Sequence, residues 1–159
     1  MAKAIVITPT TGSPELADAI KSVKEQTYEC DHLIVVDGPE FESRTLEVLN
    51  EADPDKKVIK CVLPFNTGGN GFYGHRVMAA FSHLVNYDYI LFLDQDNWYE
   101  PNHVESLVND IDKYNFEWAY SLRKIHNKDK SFVCEDDCES LGRWPVWCND
   151  VAYLIDSSS

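Results

Sequence analysis

Two aspartates separated by one residue, Asp94-Gln95-Asp96, stand at the end of an apolar run, Tyr89–Leu93. Alternate side chains of an extended segment leave on the same side, so both carboxylates can face one ligand. Two hard oxygen donors beside a diphosphate suit Mn²⁺ or Mg²⁺. Taken alone, such a pair is common as a solvated acidic turn. The apolar strand in front of it is what points to a ligand. Asp37 closes a second apolar run, Leu33–Val36. It can accept hydrogen bonds from a base or a ribose, and before Gly38-Pro39 it serves equally as a turn residue.

The stretch 66–74 (NTGGNGFYG) holds four of the chain's seven glycines. It contains Gly69-x-Gly71-x-x-Gly74, a literal dinucleotide fingerprint, with Asp94 following at the expected interval of about 20 residues. An NAD-dependent oxidoreductase is therefore a rival reading. The fingerprint needs its first glycine directly after a strand, whereas Pro64-Phe65-Asn66-Thr67-Gly68 intervenes here. It also normally opens the first βαβ unit. The favoured reading is a loop whose backbone N–H groups, at Gly69 and Asn70 among others, approach a phosphate. Arg76 behind it adds a cationic contact or is an ordinary surface helix residue.

Other chemistry-bearing residues are less organised. His75 and His103 have no nucleophile partner, and no G-x-S-x-G, P-loop or HExxH occurs. The acidic stretch Glu135-Asp136-Asp137, with Glu139, could supply a general base; a solvated loop is the simpler reading. Trp98, Trp144 and Trp147 could stack on a sugar, with packing as the default. Cys134-x3-Cys138 with Cys148 could offer three zinc ligands, but no fourth accompanies them and no CxxC is present. The five cysteines read as free thiols of a cytoplasmic protein.

These residues need elements to place them. Ala4–Thr8 reads as a buried strand stopped by Pro9. Ser13-Pro14 offers an N-cap and first-turn proline for a helix over 14–26. Leu33–Val36 is the second strand, and 42–51 a helix with Leu46 and Leu49 on one face. Val58–Leu63 is the third strand. Val77, Ala80, Phe81, Leu84 and Val85 mark a helix after the glycine loop, and Tyr89–Leu93 is the fourth strand. Pro101 opens a helix with Val104, Leu107, Val108 and Ile111 facing inward. Beyond Tyr114 come short strand-like pieces (117–122, 131–134, 150–155) between acidic loops. The alternation predicts an α/β fold with a mostly parallel sheet flanked by helices. In such sheets ligands sit outside the carboxyl ends of the strands. That rule gathers Thr8-Pro9-Thr10, Asp37, the glycine loop and Asp94-Gln95-Asp96 at one edge.

Length and charge set the bounds. One domain accounts for 159 residues. Acidic residues exceed basic ones by 27 − 14 = 13, which argues against a non-specific nucleic-acid binder and against docking on anionic lipid. No apolar run approaches the roughly 18 residues of a membrane span.

Together the motifs resemble the family 2 glycosyltransferases of GT-A fold. The strand followed by Thr8-Pro9-Thr10 resembles the family's strand and P-T-Y-N. Residues 19–38 (AIKSVKEQTYECDHLIVVDG) resemble its S-I…Q-T-Y…I-V-V-D-D-G segment. Residues 66–97, ending in ILFLDQDN, resemble its N-x-G…F-L-D-A-D-D segment. The likeness runs over about 3–110. It implies a UDP-sugar donor and an acceptor that is a glycan, lipid-linked or a protein. Carried over, Thr8, Pro9 and Thr10 line the nucleotide pocket, Asp37 holds the base, and Arg76 lies near base and diphosphate. Asp94 takes the ribose or metal side, and Asp96 holds Mn²⁺ or Mg²⁺. The family inverts the anomeric carbon with an Asp or Glu base, for which Asp136, Asp137 and Asp150 are the candidates. Departures are Thr11-Gly12 after Pro9-Thr10 and a single aspartate at 37. The expectation is one domain over 1–159, with about 1–114 for the nucleotide sugar and about 115–159 as a short acceptor-side remainder. A nucleotide-sugar-binding module without transfer activity is the alternative.

Overall fold

The computed structural model describes residues 2–135. Four strands form one parallel sheet: β1 (Ala4–Thr10), β2 (Cys30–Val36), β3 (Ile59–Val62) and β4 (Tyr89–Phe92), in the order β3-β2-β1-β4. Between them run α1 (Leu16–Lys24), α2 (Glu42–Ala52) and α3 (His75–Leu84), and α4 (His103–Tyr114) follows β4. A short 3₁₀ turn, Pro39–Phe41, leads into α2.

Period-2 alternation of β-branched residues in β1 and β2 gives the sheet two apolar faces. Ala4, Val6, Ile34 and Leu91 pack under α1 and α4, against Leu16, Ala19, Ile20, Val23, Val104 and Val108. Ile5, Ile7, Leu33 and Val35 pack on the other face under α3, against Val77 and Phe81. All seven residues of β1 are buried, and each such Ile or Val contributes about 1.5–3 kcal/mol.

Several expectations are corrected. β1 does not stop at Pro9 but runs on to Thr10, with Pro9 opposite Val35. Pairing with β4 ends at Ile7↔Phe92, so Pro9 lies where β1 has one neighbour only and its missing N–H costs no ladder bond. Ser13 is not an N-cap: its hydroxyl bonds the Glu15 carboxylate, and α1 begins at Leu16. Leu46, Ala80 and Leu84 face solvent. α2 instead buries Thr45 and packs Val48, Leu49 and Ala52 on the sheet.

After α4 the chain changes character. No strand forms over 117–122; Trp118 and Tyr120 stack on each other at 5.7 Å. The strand lies later, β5 (Lys124–His126), paired antiparallel with β6 (Phe132–Glu135). The turn decides this register: Asn127 N–H donates to Ser131 at 2.9 Å, Lys130 N–H donates to Asn127 at 2.8 Å, and Lys130 takes φ +67°. The expected strand at 150–155 lies outside the described residues.

Candidate functional site

The strand order places a switch point between β1 and β4: the chain leaves β3 at one edge and returns beside β1. Crevices outside such a point are where open α/β sheets hold ligands. A cavity of about 360 Å³ lies there, lined among others by Pro9, Thr10, Asp37, Gly69, Tyr73 and the run Asp94-Gln95-Asp96.

Two side chains fasten its walls. Gln95 lies in the turn after β4 and ties that turn to the end of β1. Its Oε1 accepts from the Thr10 hydroxyl at 2.7 Å, Thr11 N–H at 3.0 Å and Ser13 N–H at 3.3 Å. Asp37, 3% exposed, fastens the glycine loop. Oδ1 accepts from Thr67 N–H at 2.8 Å and the Thr67 hydroxyl at 2.7 Å. Oδ2 accepts from Gly68 N–H at 2.8 Å and Asn66 Nδ2 at 3.1 Å. Gly69 N–H donates to Asn66 Oδ1 at 3.0 Å. The N–H groups of Thr67, Gly68 and Gly69 are thus used inside the loop. The loop presses on the sheet end so closely that a Cβ at Gly74 would stand 2.5 Å from Pro9 Cγ. A Cβ at Gly68 would collide with the Tyr73 carbonyl oxygen and reach Asp37 Oδ2 at 2.9 Å.

The other expected residues are placed as follows. Thr8 does not line the cavity; it is fully buried behind it and shares a 2.9 Å hydrogen bond with His32 Nε2. Asn70 takes φ +63° and is exposed, away from the cavity lining. Arg76 does not line it either: its guanidinium lies 3.5 Å from the Phe72 ring centroid and donates to the Thr67 carbonyl at 3.1 Å. Asp136, Asp137 and Asp150 lie outside the described residues, as do Cys138 and Cys148. Thr11, Asn66 and Tyr73 also line the cavity; Asn66 and Tyr73 belong to the loop expected at this edge, but nothing in their residue type sets them apart within it.

A second cavity, about 560 Å³, adjoins the first and shares Asp96 with it. Its wall carries Trp98, His103, Ser121, Arg123, His126 and Lys128. Trp98 and His126 tilt against each other at 5.0 Å. His103 stacks on buried Tyr99 at 4.0 Å. Burial lowers the His103 pKa to about 4, so the imidazole is neutral at pH 7. Its Nε2 is buried without a hydrogen-bond partner. Burial raises the Tyr99 hydroxyl pKa, and that hydroxyl donates to the Phe92 carbonyl at 2.6 Å.

Among the described residues, no three His, Cys, Asp or Glu side chains are grouped to hold a metal by themselves. The donor set at the strand end suits a different arrangement. Mg²⁺-type sites commonly take one or two carboxylates and complete their shell with substrate phosphates and water. Asp94 and Asp96 offer that pair at the cavity wall.

A parallel sheet in the order β3-β2-β1-β4 with its ligand edge at the β1–β4 switch is a GT-A, Rossmann-like α/β fold. The model of glycosyl transferase family 2 matches residues 5–137, and the chain belongs to that family. Among solved structures, TarS of S. aureus superposes with a TM-score of 0.56 at 19% identity, over 71% of this chain and 20% of TarS. The chain therefore spans about a fifth of that protein's length. No curated protein matches it. Among the described residues, no helix is long and apolar enough to cross a membrane.

Proposed function

We propose that the chain binds a UDP-hexose in the cavity between the ends of β1 and β4 and transfers the hexose to an acceptor lodged in the adjoining cavity. The observation that carries this reading is Asp96, which lines both cavities. A donor diphosphate on one side and an acceptor hydroxyl on the other would meet at that residue.

Asp96, with Asp94, would hold Mn²⁺ or Mg²⁺. The ion would supply neutralisation of the diphosphate as the sugar–phosphate bond breaks. The surroundings support a need for it. Thr67, Gly68 and Gly69 N–H groups are engaged within the loop, and Arg76 is engaged by Phe72 and Thr67. Gln95, between the two carboxylates, anchors their turn to residues 10–13. Trp98 and His126 offer aromatic surface for a saccharide ring of the acceptor, whether glycan, lipid-linked or protein-linked. Inversion follows from one displacement, with an Asp or Glu as base and Asp136, Asp137 and Asp150 as candidates. The free thiols Cys30, Cys61 and Cys134 are consistent with a reducing, cytoplasmic setting.

The test is UDP release from a panel of UDP-sugars with Mn²⁺ and saccharide acceptors. The Asp94→Ala/Asp96→Ala double variant is expected to lose at least about 100-fold of the rate. Equal rates in both proteins would overturn the assignment. Metal-dependent UDP binding without turnover would favour a binding module, and tight NAD binding without metal would revive the oxidoreductase reading.

A further inference from the structure

We propose that the donor's nucleobase is held by stacking on the ring of Tyr73, and that Asp37 braces the loop carrying that ring instead of reading the base. The inference rests on the donor reading above and specifies its recognition.

Asp37 has no acceptor capacity to spare. A carboxylate offers about four lone-pair sites. Thr67 N–H, the Thr67 hydroxyl, Gly68 N–H and Asn66 Nδ2 take them all at 2.7–3.1 Å. A base N–H arriving here would have to displace one of these donors and reach a carboxylate that is only 3% exposed. The carboxylate is better suited to its present task, which is to fix residues 66–68.

What those residues carry is Tyr73. Its N–H donates to the Gly68 carbonyl at 3.0 Å. Its backbone sits at φ +44°, a conformation that a bulky residue adopts only when its surroundings impose it. The packing of Gly74 on Pro9 and of Gly68 under Tyr73 imposes it here. The ring so placed is 64% exposed. Exposure alone would mean little, since Phe65 and Trp118 are equally exposed. Tyr73 differs because it lines the donor cavity, and it is the one aromatic among the described residues that do. Its neighbour Phe72 is covered by the Arg76 guanidinium. The Tyr73 ring has no such partner among the described residues. Strained backbone, an open ring face and a place at the cavity wall together make a platform for a flat ligand group. Stacking is also indifferent to the hydrogen-bond pattern of the base, so discrimination between bases is expected to be weak.

The experiment titrates UDP, CDP and inorganic pyrophosphate into the full chain with Mn²⁺, by calorimetry, and follows the base H5 and H6 signals by NMR with diamagnetic Mg²⁺ in its place. Tyr73→Ala is expected to weaken UDP roughly 5- to 150-fold, the range that loss of one base–aromatic stack gives. Pyrophosphate, which has no base, should bind the variant as it binds the wild type. Tyr73→Phe should restore UDP affinity and the upfield ring-current shift of H5 and H6. UDP and CDP should differ by less than about tenfold. UDP affinity unchanged in Tyr73→Ala would overturn the inference while leaving the donor reading intact. So would an equal loss for pyrophosphate, the mark of a collapsed loop. A UDP preference above about 100-fold would overturn the bracing role of Asp37. Failure of the wild type to bind any nucleotide would overturn the donor reading and this inference with it.

Discussion

The two cavities that meet at Asp96 are built in opposite ways. The cavity at the β1–β4 switch stands on strands and is tied at its rim by Asp37 and Gln95, which accept four and three hydrogen bonds. The other side takes part of its wall from the segment beginning at Ser121 and from β5, while every residue of β6 is exposed. Two strands without a third are marginal on their own. The contrast teaches where specificity of position is kept. The walls of the β1–β4 cavity are held by the polar networks of Asp37 and Gln95. Part of the second cavity's wall rests on a hairpin with little buried area.

The most severe break of this contrast is Asp37→Ala. It leaves donors at Asn66, Thr67 and Gly68 without their shared acceptor, and about 3 kcal/mol of stability should be lost. For a chain of this length that is about 10 °C in Tm, readable by calorimetry. A change below about 1 °C would mean that the loop is held by something else.

A smaller effect comes from below the site. His32 is buried, and burial lowers its pKa to about 3; burial lowers that of His103 to about 4. Both are neutral in the fold, while the unfolded chain protonates near pH 6.5. The unfolded state therefore binds more protons below that pH, so this contribution is intact above about 6.5 and is lost as pH falls toward 3. Denaturant melts between pH 7 and 4 should give a shallower slope for His32→Asn than for wild type, whatever its absolute stability. An unchanged slope would remove His32 from the account.

The smallest effect belongs to the hairpin. Phe132 is 58% exposed, and Phe132→Ala should cost less than about 0.5 kcal/mol. A loss above about 2 kcal/mol would show the hairpin to be as firmly built as the sheet, and the contrast would fail.

The sheet and the four helices that flank it were legible because apolar periodicity and turn residues report on local geometry. The polar edge of the sheet was legible because Thr10 ends β1, Asp37 follows β2 and Asp94 lies two residues beyond β4. The uses of those residues were less so. The sequence places Asp37, the loop and Arg76 together, but it does not say which donor reaches which acceptor first. Asp37 takes the loop's own N–H groups, and Arg76 takes Phe72, four residues before it. Pro9 reads as a strand end, yet it sits where β1 has lost one neighbour and can continue. β5 is hidden in the sequence because its register is set by the turn at 127–131, while the apolar residues at 118–122 imitate a strand.

The central claim is that Asp94 and Asp96 bind a nucleoside diphosphate through a divalent ion. Calorimetry of UDP with and without Mn²⁺ tests it most directly, on wild type and on Asp94→Ala/Asp96→Ala. The account predicts UDP binding that tightens strongly with Mn²⁺ in the wild type and shows no such gain in the double variant. UDP affinity that ignores Mn²⁺, or a Mn²⁺ gain that survives loss of both aspartates, would contradict it.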